Sequence, residues 1–212
     1  SLDLGDRDHT LVDGRLRLDY ELSPTLIPFV EVRGGRNFYD RTQDSAGYER
    51  SSWTYGGRGG VEFDLSEKLR GELGLGYERV EYDDSRLAAL DGLTVDGRTV
   101  WSPQRGTELE LALRTTLQDA TAAGASGWVE YNLAATLTHQ LRHNLVGRLT
   151  GGATERVFPQ ASDETTWISG AGLTWSLSRY LDLTGAVEYE YTDRTGTDTK
   201  TLRAGLGLTL RR

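Results

Sequence analysis

Three histidines, two adjacent aspartates and one glycine cluster are the residues here whose types and spacing could do chemistry. His139 and His143 lie four apart in HQLRH, and His9 stands alone near the start. On a helix, a spacing of four puts two imidazoles on one face, as a divalent metal requires. This segment instead reads as a β-turn between two alternating stretches, so no metal site is expected. Asp83-Asp84 supplies paired carboxylates, the residue type of glycosidases and Ca²⁺ sites, but in a polar loop such a pair is more simply solvated. A lipase on a barrel wall would need Ser and His together on a strand. No Ser here stands in a nucleophile-elbow context, and no His lies in mid-strand. Gly57-Arg58-Gly59-Gly60 is no phosphate loop, because no helix follows to supply the dipole. With no cysteine in the chain there is no thiolate ligand or nucleophile and no disulfide framework. The sequence therefore predicts no enzyme and no cofactor.

The remaining chemistry is electrostatic, and it alternates. Arg15, Arg17, Arg33, Arg58, Glu62, Arg70, Glu72, Arg98, Glu110, Arg114, Glu130, Arg148, Glu188 and Arg203 fall at positions that share one face of an extended chain, opposite the mainly apolar one. Both signs are mixed along that face. One reading is a structural lattice of cross-strand ion pairs. The other is a polar track on which Arg contacts acidic or hydroxyl groups of a passing solute.

The elements that must position these residues are strands. The period is two nearly everywhere, over eleven segments: 11–23, 25–39, 51–66, 68–83, 92–103, 106–119, 125–139, 143–157, 164–178, 180–193 and 198–211. No segment carries a convincing helical period, and no linker or composition break divides the 212 residues. Hydrophobic residues make up 37% and mean hydropathy is −0.50. No stretch is apolar for long enough to form a transmembrane helix. A spanning β-barrel alternates, so it remains compatible with such low hydropathy.

Two patterns favour the spanning barrel. Connections alternate in length: short at Ser23-Pro24, Ser66-Glu67, 103–105, 140–142 and Ser178-Arg179, longer and rich in Asp, Gly and Ser at 40–50, 84–91, 119–125, 158–163 and 193–198. Short turns on one rim and long loops on the other mark outer-membrane barrels. The apolar faces also end in aromatics. Tyr20, Phe63, Trp101 and Trp175 lie near short turns, and Tyr55, Tyr77, Trp128, Trp167, Tyr189 and Tyr191 lie toward long loops. These ten are expected to form two interfacial girdles. In LRGELGLGYERVEYDD, Leu69 to Tyr77 alternates cleanly, and then Arg79 and Glu81 appear on the apolar side. That is one bilayer crossing followed by an extension into water, since a tilted strand crosses in about 9–11 residues. A soluble barrel with an apolar interior is the competing architecture. Eleven strands would enclose more space than side chains fill, and the one-sided loops also speak against it.

The expected fold is thus all-β: an antiparallel up-and-down transmembrane β-barrel of the outer membrane over 11–212, with short turns periplasmic and long acidic loops extracellular. Residues 1–10 read as an extracellular loop or the remnant of a truncated upstream region. Bacterial single-chain barrels normally have an even number of strands. Eleven or twelve visible strands, with no Met at position 1, therefore predict the C-terminal part of a larger barrel. The net charge of −8 argues against nucleic-acid binding.

The run GGVEFDLSEKLRGELGLGYERVEYDDSRLAALDGLTVDGRTVWSP resembles the outer-membrane beta-barrel porin type 2 family, found in exopolysaccharide-producing bacteria. LDYELSPTLIPFVEVRGGRNFYD, THQLRHNLVGRLTGGATERVF and WSLSRYLDLTGAVEYEY are similar to further strand pairs of that family. The chain departs from the family pattern in ending on Arg211-Arg212 rather than on an aromatic residue. The resemblance implies no catalytic residues. It implies a porin-like conduit for a hydrophilic solute, with exopolysaccharide export as the expected role. Outer-membrane lipid, polysaccharide and periplasmic export proteins are the expected partners. The alternative is a non-conducting scaffold or surface protein whose lumen is plugged by ion pairs.

Overall fold

The structure, a computed structural model, describes residues 8–118, 126–159 and 161–210. Eleven strands follow one another in a single antiparallel sheet whose spatial order is the chain order. They are β1 (His9–Asp19), β2 (Leu26–Tyr39), β3 (Ser52–Ser66), β4 (Leu69–Tyr82), β5 (Leu90–Gln104), β6 (Thr107–Gln118), β7 (Trp128–Arg142), β8 (Leu145–Val157), β9 (Glu164–Ser178), β10 (Leu181–Arg194) and β11 (Thr199–Leu210). Each matches one of the alternating segments of the sequence. His9 and Thr10, expected in a loop, pair with Tyr39 and Phe38 as the start of β1. Residues 1–7 and 119–125 lie outside the described residues.

An up-and-down meander follows from local chemistry. Two-residue connections at 67–68, 105–106, 143–144 and 179–180 leave no length for a crossover, so consecutive strands must pair antiparallel. At 105–106 the turn needs a left-handed residue, and Gly106 supplies it with φ 78°. β1 and β2 are joined on the same rim by 20–25, tightened by a Ser23↔Leu26 bridge, and the remaining connections (40–51, 83–89, 119–127, 158–163 and 195–198) share the opposite rim.

Register then fixes which side chains share a face. Starting from Arg17↔Glu31, the ladder runs Glu31↔Arg58, Arg58↔Gly76 and Gly76↔Thr94. The neighbouring row, Leu16↔Val32↔Gly57↔Tyr77↔Leu93, belongs to the other face. The buried residues concentrate on the charged face, where Phe29, Glu31 and Asp182 are 3–4% exposed. The apolar face is open, with Leu75 67% and Leu206 89% exposed. The charged face is therefore the inner one, and a broad band of Leu, Val and aromatics is the outer one. In water a band this large would drive association; against hydrocarbon it is the solvated state.

Two features interrupt the regular wall. β1 and β11 end the strand order, and among the described residues no ladder joins them. The ladder between β5 and β6 runs from Gln104↔Thr107 to Gly97↔Leu113 and stops there, although β5 continues to Leu90 beside β4 and β6 continues to Gln118 beside β7.

Candidate functional site

The inner face is not uniform. On β1–β5 it is filled by a connected cluster around Phe29. Phe29 lies across the wall where β3 and β4 carry Gly60 and Gly74, and a Cβ on Gly60 would sit 2.5 Å from Phe29 Cζ. Only glycine leaves room for the ring there. The Arg17 guanidinium stacks 3.8 Å from the ring centroid, and that of Arg58 lies 5.5 Å away. Arg58 Nε donates to Glu31 Oε1 at 3.0 Å, and the same guanidinium lies 3.8 Å from Glu72 and 3.7 Å from Asp96. Arg17 donates to Glu72 at 2.8 Å and lies 3.7 Å from Glu62. Arg33 pairs with Glu78 one row above. Burying a carboxylate as deeply as Glu31 is costly without charge partners, and Arg58 and Arg15, the latter at 3.9 Å, provide them.

On β6–β9 the same face is lined by small and hydroxyl side chains. Its central rows read Glu110↔Thr136↔Thr150↔Gly170 and Ala112↔Ala134↔Gly152↔Ile168. Above them Asn132 donates to Thr154 Oγ1 at 2.8 Å, and Thr166 and Thr192 share a 3.0 Å hydrogen bond. Ion pairs frame this smooth zone. Arg156 joins Glu130 at 2.8 Å and Glu164 at 2.6 Å, with Arg194 also on Glu164. On β10–β11, Arg203 holds Glu188 and Glu190 at 3.0 and 3.1 Å. Arg70, Arg114 and Arg148 also project from this face, exposed, and form no ion pair among the described residues.

All fourteen charged positions singled out from the sequence have inner-face register. The structure links Arg15, Arg17, Arg58, Glu62 and Glu72 into one cluster, and it pairs Arg98 with Glu110 at 3.3 Å. The sequence reading passed over Phe29, the aromatic at its centre. Its parity with Glu31 and Arg33 was the available signal. Of the aromatics expected in girdles, Tyr55, Phe63, Tyr77, Trp101, Trp167, Trp175, Tyr189 and Tyr191 take the outer-face register. Tyr20 follows β1 and is 69% exposed. Trp128 does not belong with them. It pairs with Gln118, shares the parity of Glu130, and packs on Phe158 at 5.7 Å. Outer-face Trp53, 56% exposed beside Arg36, was not among the expected ten.

Above the wall, two long connections are clasped together. Arg86 donates to Asp84 and, at 2.6 Å, to the carbonyl of Gly47, while its guanidinium lies 4.2 Å from the Tyr48 ring. Asp84 also accepts the Glu49 N–H at 3.3 Å. The Arg86 side chain and backbone N–H hold the Asp84 carboxyl well below the usual carboxylate range, and Asp84 in turn holds Arg86 protonated. No group of three metal-ligating side chains converges among the described residues.

The fold recurs among solved barrels. The FrpB iron transporter from Neisseria meningitidis (F3-3 variant) superposes with a TM-score of 0.56 at 10% identity, over 87% of this chain and 36% of that one. This chain thus spans about a third of that transporter's length. The NanC porin matches over 96% of both chains at 9% identity and a TM-score of 0.44. LpxR from Salmonella typhimurium matches over 94% of this chain and 88% of that one, at 10% identity and a TM-score of 0.35. At 10% identity the likeness to the FrpB transporter speaks for the fold alone. No curated protein matches the chain in sequence. The family model described as "Putative beta-barrel porin 2" matches residues 1–212, and the chain belongs to that family of porin-like barrels.

Proposed function

We propose that this chain forms the wall of a passive conduit for a hydrophilic, hydroxyl-rich solute across a bacterial outer membrane. Short turns face the periplasm and long loops face outward. The observation that carries the reading is the smooth strip on β6–β9, where Thr136, Thr150 and Asn132 alternate with Ala112, Ala134, Gly152 and Gly170. Such a surface offers hydrogen bonds that each cost little to exchange for water. Conduction needs that balance, in which entry is favourable and release easy. Arg114 and Arg148, which form no ion pair among the described residues, add donors for hydroxyl or acidic groups. A polysaccharide passing to the cell surface is the solute class this lining suits best. Inner-face charges keep the lumen wet, and any driving force comes from periplasmic partners.

The cluster around Phe29 favours the rival reading of a sealed scaffold, because it fills its side of the interior with paired charge. Planar-bilayer recording separates the two. Steady single-channel steps, with a current that falls as maltohexaose is added, are the expected result. Protein that inserts, as judged by protease protection, yet gives no steps would overturn the conduit.

A further inference from the structure

We propose that the seam between the upper halves of β5 and β6 is a lateral portal, which takes a single-chain amphiphile from the outer leaflet into the barrel wall. The inference rests on the membrane placement given above. The β5–β6 ladder ends at Gly97↔Leu113, level with Leu73 of β4, so residues 90–96 of β5 have no ladder partner on β6. A backbone edge within a bilayer must find partners. At the split point it finds a side chain instead. Thr115 Oγ1 accepts the Val95 N–H at 2.8 Å and donates to the Val95 carbonyl at 3.1 Å, and the Thr115 N–H donates to Asp96 Oδ1 at 3.3 Å. The zipper therefore ends on a hydroxyl and a carboxylate, which can open without breaking a ladder rung.

Above that point the two edges overlap. Gly92 has inner-face register, while Val129 and Tyr131 have outer-face register. Yet a Cβ on Gly92 would lie 3.2 Å from Tyr131 Oη and 3.6 Å from Val129 Cγ1. The outer face of β7 thus meets the inner face of β5, which places the start of β7 behind β5. Tyr82, the last inner residue of β4, hydrogen-bonds the carbonyl of Ser126 across the same overlap. A cleft of about 200 Å³ opens at the seam. Nine of its eleven lining residues have outer-face register, among them Val95, Leu113, Leu133 and Trp167 but also Glu155 and Thr165, and the other two, Arg114 and Asn132, have inner-face register. A mainly apolar cleft on the lipid side with charged and hydroxyl side chains at hand is what an alkyl chain with a polar head requires.

The test uses a fatty acid carrying a chain diazirine, photolysed in vesicles holding the intact protein, with labelled residues mapped by mass spectrometry. Labels on Leu73 and Leu206 report membrane insertion; their absence defeats the membrane reading itself. Labels on Leu113, Leu133 and, through the wall, Arg114 and Asn132 are the expected result. The Val95→Cys/Thr115→Cys pair introduces the only thiols of the chain. Oxidising it, or bridging it with dibromobimane, should abolish labels on Arg114 and Asn132 and leave the outer-face labels intact, and reduction of the disulfide should restore them. Inner labels that persist in the locked protein, or that never form in the unlocked one, overturn the portal.

Discussion

The inner surfaces of β1–β5 and β6–β9 share a register, a period and a chain, yet they are built differently. The first is a solid buttress, in which Phe29 is 3% exposed and Glu31 4% exposed beneath two arginines. The second has a central patch of Thr, Ala, Gly and Asn set between charged side chains that include Glu110, Arg114 and Arg148. The difference teaches how one alternating sequence produces both rigidity and passage. Where glycines on β3 and β4 thin the wall, long charged side chains and a ring lie down across it. Where Ala, Thr and Gly occupy the same positions, only short side chains stand up between the charged ones.

The largest expected effect breaks the buttress. Arg58→Ala leaves Glu31, Glu72 and Asp96 without their shared cation, and removing one partner of a buried pair costs about 3–5 kcal/mol. Arg15, 3.9 Å from Glu31, softens this toward the lower end. The matched change in an open region is Arg203→Ala, whose side chain is 58% exposed and whose partner Glu188 is 46% exposed. A pair this exposed contributes little to stability. Urea unfolding of the two variants in lipid vesicles should show the first shifted clearly and the second hardly at all. Equal shifts would mean that the buttress is no more than a collection of surface pairs.

Next comes the strip. Ala186 stands on β10 in the row Arg148↔Gly172↔Ala186↔Gly205, at the border of the smooth zone. Ala186→Trp raises a ring into the track, and pore diameter sets conductance, so single-channel current should fall roughly twofold. If current is unchanged while the protein stays inserted, the solute does not pass along this side.

How far the sequence foretold this is itself uneven. The strands and their faces were legible because alternation is a local signal, and short turns force neighbours to pair. Arg58 and Glu31 were readable as inner residues on that basis. Their joining through Phe29 was not, because it depends on which rows the register sets side by side. The same holds for Trp128. Composition suggested a girdle aromatic, while parity with Glu130 puts it on the other face. The parting of β5 from β6 left no mark that alternation could detect, since Val95 and Thr115 fit the period on either side of the split.

The smallest expected effect concerns the clasp above the buttress, where no such inner lining operates. Asp84 is held below the ordinary carboxylate range by Arg86. Its contribution to loop order is therefore complete above the unfolded carboxylate pKa of about 3.9, and it is lost as pH falls through the lower folded value. Between neutrality and mildly acidic pH the order of 40–51 and 83–89 should not change. In strong acid the carboxyl protonates and Arg86 loses its charged acceptor. Asp84→Asn should then reproduce at neutral pH, in amide hydrogen exchange of both loops, what strong acid does to the parent chain. Exchange in 40–51 is the decisive readout, because Arg86 reaches that loop through the Gly47 carbonyl and the Tyr48 ring. Faster exchange confined to 83–89 would mean that the two loops are merely adjacent, and that Asp84 orders only its own turn.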